Sequence, residues 1–378
     1  MKIIIIISKI IFFIKLLYSS KISFKKLEKK EIIFFDKNNA NLLINKFKLK
    51  NYEILLTRNE EFNFWIILNM ILNFKFNLID YYRIYIFKIS PKIVITFVDN
   101  TINFYKLKKY FYKTTFISIQ NGQRTGGHND IFQNKKFINS KNLTCDYFFV
   151  FNKYIARKYK NYINAKYIIL GSFRNNFIEK KISNNKNIFL FISQYRKNNS
   201  KEKINYETKL LKLLKIYFME KKIRLHIMLS SKSKKIQKKE VNFYKSYYGT
   251  NCSFVRNNYW WESYKKLDNY KNIIFIDSTL GYESISREKK VAIFSLRKNQ
   301  NLKEYFGWPS NVIKKNIGFF SAYKLDYPEL RKILNNIYFC TSKRWKDNFF
   351  PLIKDQMPIN KNNTLLKNKI NLILNNNK

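Results

Sequence analysis

A chain of 378 residues, 46% hydrophobic and 18% aromatic, has room for two domains and is too apolar to be disordered. Lys and Arg exceed Asp and Glu by 73 − 25 = 48 charges, which predicts attraction to anionic surfaces and phosphorylated substrates. The excess is spread along the chain without Arg-Gly repeats or zinc spacing, within a composition rich in A/T-coded residues, so no specific nucleic-acid partner is expected.

In chain order, residues 3–17 are apolar but interrupted by Lys9 and Lys15, whereas a spanning helix needs about 20 apolar residues. No small-residue cleavage site follows. With lysines on one side and a basic cluster at 21–30, residues 1–30 read as an interfacial segment contacting an anionic membrane surface. The competing reading is a hydrophobic strand or tail packed on the domain. Peripheral location at the cytoplasmic face of the cell membrane follows from the first. Cys145, Cys252 and Cys340 are too far apart to share a metal, and this sparse, odd count fits a reducing cytoplasm.

Strands are predicted at 31–36, 52–57, 92–100, 115–122, 146–151 and 166–171, with helical patterns at 40–49, 62–73, 76–89 and 104–112. That alternation predicts a doubly wound domain over 31–175. Strands at 187–196, 224–229 and 253–256, a helix at 206–219 and a solvated lysine-rich loop at 230–239 open a second such domain, 186–325. Helices are expected to fill 326–378.

Residues 271–297 organise the second domain. Two apolar runs, 273–276 and 291–294, flank a helix-compatible stretch, giving a parallel βαβ unit. Asp277, Ser278 and Thr279 lie in its first turn, where short polar side chains cap free amides. The same place suits an anion. Gly281 would permit close approach by a ligand or backbone, and Glu283 would reach ribose hydroxyls. An ordinary capped helix is the alternative.

Two tandem α/β doubly wound (Rossmann-like) domains would face one another across a cleft at their strand ends. There the first contributes Asp99, Asn100, Gln120, Asn121, Arg124 and His128, and the second Gln194, Arg196, Ser230, Arg256 and Asp277–Thr279. Tyr259, Trp260 and Trp261 form an aromatic patch that would stack on a base or sugar, or pack in the core.

ITFVDN at 95–100, ISIQNGQR at 117–124, LFISQYR at 190–196 and FIDSTLGYESISREKKVAIFS at 275–295 resemble a family of bacterial surface-carbohydrate biosynthesis proteins. The chain from about 30 to about 320 is also similar to two-domain glycosyltransferases of the GT-B fold. In those, a Ser/Thr-Gly turn followed by a glutamate holds the donor nucleotide; Ser278, Thr279, Gly281 and Glu283 match in order. Polymerases that transfer glycerol phosphate have a similar hydroxyl turn. The polar, glycine-rich 124–129 segment departs from any catalytic loop of that group.

The resemblance implies a glycosyltransferase moving sugar from a nucleotide-activated donor to a growing surface polysaccharide or lipid-linked glycan. No metal or cofactor is expected beyond the nucleotide-sugar co-substrate, so leaving-group charge would fall to the helix tip, Arg196 and Arg256. Asp99 or His128 would take the acceptor's proton; capping the following helix and bonding loop backbone are their respective alternatives. Asn100, Gln120, Asn121 and Arg124 fall on the acceptor side. A nucleotide-sugar epimerase or polyol-phosphate transferase of the same fold, a basic RNA-binding protein and a non-catalytic scaffold are the rival readings.

Overall fold

The computed structural model describes residues 11, 14–15, 17–122, 131, 137–139, 142–181, 188–195, 201–294, 319–322 and 324–375. The strands are β1 Lys21–Ser23, β2 Ile32–Phe35, β3 Tyr52–Leu55, β4 Glu61–Asn63, β5 Ile93–Thr96, β6 Thr115–Ile119, β7 Thr144–Val150, β8 Asn164–Ile169, β9 Phe189–Ile192, β10 Leu225–Met228, β11 Cys252–Val255, β12 Asn272–Phe275, β13 Lys290–Phe294 and β14 Ser321–Ala322.

Twelve of them form two parallel six-stranded sheets, ordered β3-β2-β5-β6-β7-β8 and β11-β10-β9-β12-β13-β14. Every residue of β2, β5, β9, β12 and β13 is buried, as expected for parallel strands covered on two faces. The expected pair of Rossmann-like sheets is therefore present. The second sheet follows the dinucleotide-fold order, so its topological switch point lies between β9 and β12. The first reverses between β2 and β5.

One local expectation needs correction. The stretch read as a solvated loop at 230–239 is already helical from Lys234 in the helix Lys234–Tyr248, and Gln237 and Glu240 within it are buried. The C-terminal helices pack on different sheets. The helix Tyr327–Phe339 packs on β13 and β14, and there Lys290 Nζ donates to Ile337 O and Cys340 O, each at 2.8 Å. The helix Thr364–Asn375 instead returns to the first sheet, where Leu366 and Ile370 join the core beneath β5. Gly171 lies on the path of that return. Its φ is +72°, and a Cβ there would fall 1.7 Å from Pro358 O, so only glycine fits.

Much of the anticipated membrane segment lies outside the described residues. Ile11, Ile14 and Tyr18, which are described, are exposed. Among the described residues no helix is long and apolar enough to cross a membrane.

Candidate functional site

The helix Thr279–Ser286 starts immediately after β12, at the switch point of the second sheet. Ser278 is its N-cap, and its side chain makes no capping bond. Ser278 and Thr279 are partly exposed, and Asp277 is buried. The first lobe approaches here, since a Cβ on Gly122, just past β6, would lie 3.6 Å from Thr279 Oγ1.

Gly281 serves packing. A Cβ on it would sit 2.2 Å from Cγ of Phe275, the last residue of β12, so the bare backbone lets the helix lie flat on that ring. No ligand is needed to explain this glycine.

Glu283 faces the junction of the lobes. Its Oε1 accepts from Ser172 Oγ and, at 2.9 Å, from Tyr264 OH. Burial raises its pKa above the usual carboxylate value, while those bonds, Arg174 and Arg287 pull it down. The same helix is tied to the connector elsewhere. Asn175 Nδ2 donates to Ser286 Oγ at 2.7 Å, and Arg287 Nη1 donates to Asn175 Oδ1 at 2.9 Å. The helix Thr279–Ser286 is thus keyed to the connector between the sheets.

On the first lobe, Asp99 is fully buried beyond β5, and Oδ1 accepts the Asn121 N–H at 3.5 Å. The N-cap position of the next helix is Thr101. Asn100, beside it, is half-buried. The Gln120 amide is spanned by backbone: Nε2 donates to Gly122 O (3.2 Å) and Oε1 accepts from Phe151 N (2.9 Å). Asn121 Oδ1 accepts from Asn39 Nδ2 at 2.6 Å, and Asn39 Oδ1 accepts from Arg174 Nε at 2.8 Å. Arg124, His128 and Arg196 lie outside the described residues.

Strand order separates two members of the predicted set. Arg256 follows β11, three strand spacings from β12, or about 14 Å. Ser230, after β10, donates through Oγ to Tyr195 O at 3.0 Å. Gln194 is half-buried at the switch point, and its backbone N–H bonds the Glu207 carboxylate.

Sequence reasoning missed what supports these loops. Glu240 Oε1 accepts from Ser193 Oγ and from Ser230 N (2.8 Å), and Oε2 from Ser231 N (3.3 Å). Tyr244 OH bridges Ser193 Oγ (2.7 Å) and Glu207 Oε1 (2.6 Å). Two buried glutamates therefore hold the loops after β9 and β10. Burial, reinforced by Glu240, pushes the Glu207 carboxyl up to about 7. An acid whose folded pKa exceeds its unfolded value stabilises fully below the unfolded pKa, near 4.3, and that contribution fades as pH rises through the folded one. Between pH 5.5 and 8.5 the wild-type Tm should fall more than that of Glu207→Gln, which keeps an acceptor for Tyr244 without the charge. Parallel Tm curves from scanning calorimetry would remove Glu207 from the account.

Arg174 and Lys232 were also missed. Burial and the nearby Arg174 guanidinium lower the Lys232 pKa below the usual lysine value. Arg174 also acts on Glu283 and Tyr264. Among the described residues neither cation makes a salt bridge, although several other lysines and arginines do. Two neighbouring cations, one of them within electrostatic range of Glu283, suit an anion.

Residues 115–374 match the O-antigen biosynthesis protein family. The chain belongs to that family. No curated protein matches the sequence. The fold of this O-antigen biosynthesis family member is similar to that of the UDP-GlcNAc 2-epimerase of Methanocaldococcus jannaschii in complex with UDP-GlcNAc and UDP. There the identity is 11%, coverage 92% of this chain and 100% of that one, and TM-score 0.53. It is also similar to the wall teichoic acid polymerase TagF soaked with CDPG (10%, 92% and 90%, TM-score 0.52) and to S. aureus MnaA bound to UDP (11%, 93% and 97%, TM-score 0.50). At such identities the likeness shows the fold: this is a GT-B-like member of a surface-carbohydrate biosynthesis family.

Proposed function

We propose that this family member is a glycosyltransferase that moves a sugar from a nucleoside diphosphate donor to a surface glycan or its lipid-linked precursor. The observation that carries it is the start of the helix Thr279–Ser286. It lies at the switch point of a dinucleotide-order sheet, its N-cap side chain makes no capping bond, and Arg174, which acts on both Glu283 and Lys232, lies nearby. First-turn amides and the helix dipole would meet the diphosphate. The two cations would neutralise charge on the leaving group, which makes departure easier. Asp99, across the gap, would accept the acceptor hydroxyl's proton.

A nucleoside diphosphate should raise the Tm of the purified protein, by about 2.7 kcal/mol of stabilisation at one hundred times Kd. UDP and CDP are the first to try, because the similar structures hold UDP, UDP-GlcNAc and CDPG. No shift with any nucleotide would count decisively against the reading. Correspondence with UDP-GlcNAc 2-epimerases over 92% of this chain supports the alternative of a nucleotide-sugar epimerase, and likeness to TagF that of a polyol-phosphate transferase. An epimerase would convert the donor with no acceptor present, whereas a transferase would need one.

A further inference from the structure

The helix Phe64–Leu72, FWIILNMIL, contains no charged residue, a composition expected of a helix covered all round. It is covered on one side only. Ile66, Ile67 and Met70 enter the core, while Trp65 is 53% and Leu72 70% exposed, with Leu68 and Ile71 also open. Trp65, Leu68 and Leu72 recur at i, i+3 and i+7 and so form one stripe. Phe74 continues it just past the helix end at 85% exposure. Phe87 of the next helix, 74% exposed, borders a shallow depression with Asn69, Asn73, Lys75, Arg83 and Lys88. Exposed apolar side chains gathered in this way mark an interaction surface.

This face is continuous with the N-terminal segment. β1 pairs with β4 in parallel, and β4 runs directly into the helix. Trp65 Nε1 donates to Phe24 O at 3.1 Å, and the rings of Phe24 and Phe64 lie 4.9 Å apart. Exposed Ile11, Ile14 and Tyr18 precede β1. Exposed Lys25, Lys26 and Lys88 flank the apolar surface.

We propose that the outer face of the helix Phe64–Leu72, with Phe74 and Phe87, docks on an anionic lipid bilayer. Aromatic and aliphatic side chains would enter the headgroup boundary, and the flanking lysines would meet acidic lipids. Charge favours this occupant over a second copy of the chain. Two such faces on a protein of net charge +48 would bring like charges together. The proposal is independent of the donor reading, since no residue of this face belongs to the proposed donor site.

The test is flotation of the full chain with vesicles of equal parts phosphatidylcholine and phosphatidylglycerol, beside pure phosphatidylcholine. Wild type should float with the anionic vesicles and less with the neutral ones. Leu68→Asp/Leu72→Asp, which changes exposed positions only, should bind at least about 10-fold more weakly. Its Tm and nucleotide-induced Tm shift should stay as in wild type. A second readout needs no destabilising variant: brominated lipid should quench wild-type tryptophan emission, and Trp65→Phe should remove much of that quenching. Equal flotation of the double variant, no flotation of wild type, or dimerisation through this face in sedimentation would each overturn the proposal.

Discussion

Replacing Arg287 by alanine is expected to cost about 3–5 kcal/mol of stability, because it opens a fully buried ion pair at the join of the two lobes. Arg287 donates through Nε to Asp268 Oδ1 at 2.7 Å, and through Nη2 to Asp268 Oδ2. It also reaches backbone of the connector, with Nη1 on Ile178 O (3.1 Å) and Nη2 on Glu179 O (3.0 Å). The variant would leave the Asp268 carboxylate buried with the Lys181 amide at 3.0 Å and the Lys289 ammonium at 3.9 Å. Those partners place Arg287→Ala at the lower end of the range. Asp268→Ala should cost at least as much, because a buried guanidinium would remain with neutral acceptors only. Thermal unfolding should show the loss, and limited proteolysis should cut the 175–181 connector faster. A Tm unchanged within a degree would mean that this pair contributes nothing, as exposed pairs often do.

Asp99→Asn is expected to reduce turnover by about 10²–10⁴-fold, the usual range for removing a general base, while leaving the nucleotide-induced Tm shift intact. The reason is spatial. Asp99 lies on the first lobe beyond β5, with its carboxylate towards the Asn121 amide, whereas the proposed phosphate site lies on the second lobe. Asparagine keeps the shape and still accepts from that amide. Tyr105 OH, which donates to Asp99 O at 2.8 Å, would hold the backbone in place. Full activity in the variant, measured as acceptor-dependent release of nucleoside diphosphate, would assign proton removal elsewhere.

The sheets were legible in the sequence because fully buried parallel strands are written as short unbroken apolar runs such as 93–95, 189–192 and 273–276. The helix after β12 was legible from its turn residues. Its internal logic was not, since Gly281 answers to the Phe275 ring and Glu283 to Ser172 and Tyr264. The helix Lys234–Tyr248 shows why the glutamate support went unread. Its buried residues Gln237, Glu240, Val241, Tyr244 and Tyr248 do follow helical spacing, but the first two are polar, and lysines surround them. A search for apolar periodicity passes over such a face. Arg174 and Lys232 meet only after the chain has folded, from separate connecting segments, and no local pattern announces that. The return of the last helix to the first sheet is equally non-local: Leu366 meets β5 more than 270 residues after it in the chain.

The most direct test is a structure of the protein soaked with UDP or CDP. The account predicts diphosphate density against the amides of 278–281, with Arg174 and Lys232 turned towards it. A nucleotide bound elsewhere, with the tip of the helix Thr279–Ser286 empty, would contradict it.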